Sequence, residues 1–144
     1  MAIQFFNETV PMPSIHKTEI RNWIKQVAAL YGKRVGEVSY VFCGDEKILE
    51  VNRQFLHHDF FTDIITFDYT EGNRIGGDIF ISLDTVRSNA EKYSQPYETE
   101  LHRVVIHGIL HLCGINDKEP GEREVMERCE DEALALLDRL RNGQ

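Results

Sequence analysis

The chain has 144 residues and a formal net charge of −8, with 42% hydrophobic and 28% charged residues. That length supports one domain, spanning residues 1–144, with a real core, and is too short for two comfortable ones. The acidic balance argues against a general nucleic-acid binder, because phosphate affinity comes from clustered Lys and Arg, though it leaves room for a local basic strip.

No apolar stretch approaches the roughly 20 residues of a membrane span. The opening Met1-Ala2-Ile3-Gln4-Phe5-Phe6-Asn7-Glu8 lacks the basic-then-apolar layout of an export signal. Cys43, Cys113 and Cys129 are an odd, scattered set that reads as reduced intracellular thiols and not as a disulfide framework. A cytoplasmic protein with no membrane partner is expected.

Ile3 to Phe6 reads as a short apolar strand, followed by a turn containing Pro11 and Pro13. From Ser14, a candidate N-cap, a helix is predicted whose Ile20, Trp23, Ile24, Val27, Leu30 and Tyr31 share one arc, closed by Gly32. Lys17, Arg21 and Lys25 run beside that arc, with Lys33 and Arg34 beyond; a solvated face and an RNA-phosphate track both fit, the former slightly better. Glu37 to Cys43 alternates and is rich in strand formers. Asp45 is placed to cap a helix carrying Ile48, Leu49, Val51, Asn52 and Phe55. Leu56 to Asp63 is a polar-aromatic loop without a period. Ile64 to Phe67 and Ile75 to Ser82 read as strands joined by the hairpin residues Glu71-Gly72-Asn73. Helices follow from Leu83 to about Tyr93, from Pro96 to Gly114, and from about Pro120 to Leu140. The third of these is preceded by one that is apolar over most of its circumference, so that helix is expected at the centre of the domain. About four strands and about five helices give an α/β (α+β) fold, a mixed sheet with the central helix packed on it. Alternating patterns leave no spare apolar face, so a monomer is expected.

The chemistry concentrates at the end of the central helix, in His107-Gly108-Ile109-Leu110-His111-Leu112-Cys113-Gly114-Ile115-Asn116-Asp117. Two histidines four apart lie about 40° from one another, one turn above the other, within reach of a single ion. Gly114 supplies the residue a helix prefers just past its end, where the chain reverses. That reversal can bring Asp117 back as a third ligand. Two imidazoles and a carboxylate leave a coordination position for water, the layout of a catalytic site. Core histidines on an apolar helix are the alternative; the spacing, the glycine and the following acid together favour the metal. Asp117 by itself is also ordinary turn chemistry. Cys113 is off the ligand face and reads as core.

His107-Gly108-x-Leu110-His111-Leu112-x-Gly114 resembles the signature of the YbeY family of rRNA-maturation endoribonucleases. Val51-Asn52-Arg53-x-Phe55, Asp59-x-x-Thr62-Asp63-Ile64-Ile65-Thr66-Phe67, Gly77-Asp78-Ile79-x-Ile81-Ser82, and Met126 with Glu130 are similar to further family blocks in the same order. Two positions depart. Asp117 stands where the family usually has its third histidine, and Leu56 and His58 stand where it usually has an arginine and a lysine. The resemblance implies a single-strand-specific endoribonuclease acting in 16S rRNA 3′-end maturation and ribosome quality control. On that reading His107, His111 and Asp117 hold one Zn²⁺, with Mn²⁺ or Fe²⁺ as alternatives that a carboxylate suits. A metal-bound water is then the nucleophile. The implied partners are rRNA, the small ribosomal subunit and ribosomal proteins, and no DNA is expected. His58 is a candidate catalytic residue through a phosphate contact, and His58, Asp59 and Asp63 are candidate proton acceptors. Two rival readings are a ribosome-assembly factor whose metal is structural, and a metallopeptidase. The second lacks the glutamate that peptidases of the His-Glu-x-x-His type place beside the first His, since Gly108 stands there.

Overall fold

In the computed structural model, which describes residues 2–56 and 62–143, the elements follow the order β1 (Ile3–Asn7), α1 (Lys17–Leu30), β2 (Arg34–Cys43), α2 (Asp45–Leu56), β3 (Ile64–Asp68), β4 (Arg74–Ser82), α3 (Leu83–Lys92), α4 (Tyr97–Leu112) and α5 (Glu122–Arg141). The strands form one sheet in the order β1-β2-β4-β3. β1, β2 and β4 run parallel, and β3 returns antiparallel along β4 through the Glu71–Arg74 hairpin, where Gly72 takes φ 60°. The expected mixed sheet, five helices and packed central helix are all present among the described residues.

Alternation along the strands explains the two layers. Ile3, Phe5, Val38, Tyr40, Phe42, Ile75, Ile79 and Ile81 point to one face and meet α1, α4 and α5. Phe5 stacks on Tyr40 at 5.5 Å. The other face buries Cys43 and Ile65 under Ile48 and Val51 of α2. Each large side chain fully removed from water contributes about 1.5–3 kcal/mol. The polar ends inside this core have partners: Trp23 Nε1 donates to Ala133 O at 2.8 Å, and Tyr40 Oη to Val105 O at 2.8 Å.

Four local expectations are corrected. α1 begins at Lys17, with His16 at its N-cap and no side-chain cap. Pro13 O takes the Ile15 N–H at 2.8 Å, and Met12 and Ile15 pack on the core, so the chain at Ser14 is in a turn. β2 starts at Arg34, because a bulge between Val35 and Val38 admits an extra residue. Asp45 is the first residue of α2 and not its cap. Its Oδ1 accepts from Ser82 Oγ at 2.6 Å and Thr85 Oγ1 at 2.5 Å, while its N–H donates to Asp84 Oδ2 at 3.0 Å. Asp84 thus caps the start of α2, while Asp45 steadies Ser82, whose Oγ accepts from Thr85 N–H and caps α3. Arg21, expected with Lys17 and Lys25 on a solvated face or RNA-phosphate track, instead donates to Ile3 O at 2.9 Å and lies over the Phe5 ring.

α4 presses directly on the sheet. A Cβ at Gly108 would lie 2.9 Å from Ile79 Cδ1 and 3.3 Å from Ile64 Cδ1. From the sheet side, a Cβ at Gly77 would overlap Phe67 O and approach Leu112 Cδ2 to 3.2 Å. These two glycines set the height of α4 over β3 and β4, and so of the histidines it carries.

At the other end of α4, His102 is buried edge-on against Trp23, with ring centroids 5.9 Å apart. Burial pushes its pKa below the ordinary value and Arg141 adds to this, against the opposing charges of Glu98, Glu19 and Asp138. With the folded pKa depressed, the stability tied to a neutral His102 is complete above the ordinary value of about 6.5 and is lost as pH falls through the folded value. Urea unfolding of the wild type and of His102→Gln at about pH 8 and about pH 5.5 is expected to show the variant losing less stability on acidification. Equal losses in the two proteins would refute this.

Candidate metal centre

His107 and His111 stand one turn apart on α4, both partly buried. Past Leu112 the helix ends through Cys113, and Gly114 adopts φ 98° while Ile115 N–H reaches back to Leu110 O at 3.0 Å. The chain then returns toward the helix, and Asp117 Oδ2 comes to 3.4 Å from His107 Nε2. The helix-ending glycine thus places the acid against the first histidine.

The opposite nitrogen of the same ring is also engaged. His107 Nδ1 lies 2.7 Å from Glu130 Oε2 on α5. Glu130 Oε1 in turn accepts from Arg103 Nη1 at 2.8 Å, and Arg103 Nη2 donates to Asp131 Oδ1 at 2.6 Å. Arg103 and His107 are one turn apart on α4, so a single carboxylate bridges two successive turns. Glu130 is only 6% exposed.

This geometry decides where the proton sits. An ionised carboxylate can only accept, so Nδ1 carries a hydrogen, and in the neutral imidazole Nε2 then turns its lone pair toward Asp117. The contact is favourable when a positive charge lies on this side of the ring, either a proton on Nε2 or a cation between Nε2 and the carboxylate. Burial alone would lower the His107 pKa, but the hydrogen bond and charge of Glu130, with Asp117 and Asp63, outweigh it and raise the pKa. The Asp63 carboxyl is raised by burial, partly offset by His107. Glu100 is raised by burial and by Asp63, against Arg103. The surroundings of His107 are therefore acidic, with Arg103 as counter-charge, and they suit a cation on chemical grounds.

The expected residues meet this arrangement unevenly. His107 and Asp117 are together. His111 has no hydrogen-bond partner among the described residues, and no group of three His, Cys, Asp or Glu that could hold a metal is gathered among them. Cys113 is partly buried and packs against the core, as expected. Thr62 Oγ1 donates to Ile64 O at 3.4 Å, consistent with a role in starting β3. His58 and Asp59 lie outside the described residues. Leu56 ends α2 and is 38% exposed.

Glu130 and Arg103 are the functional residues that sequence reasoning passed over. Glu130 enters there only within a matched block, and Arg103 not at all. A signal exists for both: Glu130 interrupts the buried stripe Met126, Cys129, Ala133 and Leu137 of α5, and Arg103 falls four before His107 on an apolar helix. A charge inside an apolar stripe implies a buried partner.

Comparison with known proteins places the chain in a family. The model of the family described as endoribonuclease YbeY matches residues 3–138. A relative from Phocaeicola vulgatus named endoribonuclease YbeY is 70% identical, with 94% of this chain and 98% of the relative covered. One of the same name from Bacteroides thetaiotaomicron is 65% identical over 94% and 99%, and one from Porphyromonas gingivalis 53% over 94% and 89%. A Thermotoga maritima protein solved in solution shares the fold at TM-score 0.65 and 25% identity, covering 99% of this chain and 95% of that one. A match running from β1 to the last turns of α5, with relatives aligned over nearly their whole length, means that the chain belongs to the endoribonuclease YbeY family.

Proposed function

We propose that the protein is a metal-dependent endoribonuclease that cuts single-stranded RNA and acts in 16S rRNA 3′-end maturation and ribosome quality control. The observation that carries the reading is His107, with one nitrogen held by Glu130 and the other turned on Asp117, in a chain of this family. His107, His111 and Asp117 are the residues that would hold the metal, Zn²⁺ in the first instance and Mn²⁺ or Fe²⁺ as alternatives. Such an ion, when bound, acidifies a water for attack and stabilises charge on a phosphate oxygen.

The chain's own residues supply the rest. Glu130 keeps the hydrogen of His107 on Nδ1 and leaves Nε2 free. Asp117 adds the negative charge that draws a cation. Of the candidate proton acceptors, Asp63 is the one within the described residues. Its partly buried carboxyl interacts with the charge of His107, which suits it to hold a proton beside the reacting phosphate. His58 is proposed to contact phosphate. rRNA, the small ribosomal subunit and ribosomal proteins are the proposed partners, the protein acting as a monomer in the cytoplasm. Among the described residues no helix is long and apolar enough to cross a membrane.

A second reading, a non-catalytic assembly factor with a structural metal, is favoured by one observation: an apolar, partly exposed Leu56 in place of a phosphate-binding arginine. Cleavage of an rRNA fragment separates the two. Metal-stripped protein is expected to be inactive, one equivalent of zinc or manganese to restore cutting, and His111→Ala to stay inactive with either. Confirmed metal uptake without cuts would leave the assembly factor as the function.

A further inference from the structure

Glu130 does more than tie α5 to α4. Its two oxygens are both committed to α4, Oε2 to His107 Nδ1 at 2.7 Å and Oε1 to Arg103 Nη1 at 2.8 Å. Arg103 is itself fixed from the far side by Asp131 at 2.6 Å. Asp131 is the neighbour of Glu130 in the chain, so one planar guanidinium grips two successive carboxylates of α5, a geometry that a point-charge cation cannot reproduce. A carboxylate held in this way cannot swing round to Nε2 and compete there with Asp117. It can only accept from Nδ1.

We propose that Glu130, locked by Arg103, is the positioning residue of the metal centre, orienting the His107 ring and its tautomer so that Nε2 faces Asp117 before any cation arrives. The proposal rests on the metal reading above and adds to it a division of labour: Asp117 and the histidines hold, while Glu130 and Arg103 aim. Outer-shell partners of this kind are worth about 10–100-fold in metal affinity. Glu130→Gln keeps the size of the side chain but lets its amide present either a donor or an acceptor to Nδ1, so the tautomer is no longer imposed. Arg103→Lys keeps the charge but loses the fork that orients Glu130.

The test uses the full chain and zinc alone. Zinc affinity is measured by competition with a chelator, and the His107 Nδ1 proton is followed by NMR in the zinc-loaded protein. The urea midpoint of the metal-free protein is read in parallel. Glu130→Gln is expected to weaken zinc by about 10–100-fold and to speed exchange of the Nδ1 proton, with a lowered metal-free midpoint because the Arg103 guanidinium loses a buried carboxylate partner. Arg103→Lys is expected to weaken zinc by less, in the same direction. If Glu130→Gln fails to fold, Arg103→Lys carries the decision. Unchanged affinity and a protected Nδ1 proton in the variant that folds would overturn the proposal, as would a loss of affinity with the Nδ1 proton still protected as in the wild type. A wild type that takes up no zinc would instead bring down the metal reading itself. A wild type that binds zinc but cuts no RNA would leave this positioning role standing.

Discussion

Replacing Gly77 by alanine is expected to destabilise the fold by about 3 kcal/mol or more, read as a lowered urea midpoint. Gly77 sits in β4 opposite Val38 of β2 and Asp68 of β3, so strands flank it on both sides. A Cβ there overlaps the backbone carbonyl of Phe67 and crowds Leu112 Cδ2 at 3.2 Å. The first obstacle is main chain and cannot turn away as a side chain can. Relief requires β3 to separate from β4, which sacrifices ladder hydrogen bonds, or α4 to lift, which opens the layer over Ile79 and Ile81. Either movement disturbs the proposed metal centre, because α4 carries both histidines and β3 follows directly on Asp63. Gly108→Ala is a useful contrast. Its nearest obstacle is the tip of Ile79, and overpacking of about 1–3 kcal/mol is offset by the roughly 1 kcal/mol that alanine gains over glycine inside a helix. The order of damage, Gly77→Ala well beyond Gly108→Ala, is the measurable claim. A Gly77→Ala midpoint close to the wild type would show that the sheet yields more readily than close packing allows.

Asp117→Ala is expected to abolish RNA cleavage while leaving the fold intact. The side chain is 30% exposed and lies in the turn after α4, so its removal makes no core cavity. It leaves His107 bound to Glu130 but takes away the carboxylate facing Nε2, and a first ligand should matter more than the ~10–100-fold of an outer-shell partner. Zinc affinity in competition with a chelator and a urea midpoint together make the measurement. Asp117→His is the informative companion. It retains three donors with one negative charge fewer, so the bound water should ionise more readily. The pH–rate profile of that variant is expected to rise at lower pH than the wild type. Full cleavage by Asp117→Ala would remove Asp117 from the ligand set.

Much of this site was legible along the chain because its first layer is local. The spacing of His107 and His111, the reversal at Gly114 and the return of Asp117 all fall within eleven residues, and helix geometry with a left-handed glycine suffices to relate them. Local errors arose where distant groups competed. Ser14 has the composition of a cap, but Pro13 and the packing of Ile15 hold that segment in a turn. Asp45 has it too, but Ser82 and Thr85 take its carboxylate from across the sheet.

By itself the sequence determined the elements, the apolar face of each, the burial of α4 and the placing of two imidazoles on one stripe. Each of these depends on residue type and on a repeat of two or of three to four positions, which neighbours in the chain can satisfy. Only the tertiary structure decided the strand order β1-β2-β4-β3 and the contact of Gly77 with Phe67 and Leu112. It also decided the engagement of His107 by a glutamate 23 residues further on and of that glutamate by Arg103, 27 residues before it. Periodicity marks which residues turn inward, but a buried charge finds its partner only when two helices dock, since the cost of leaving it unpaired is met by whichever group the packing brings within reach.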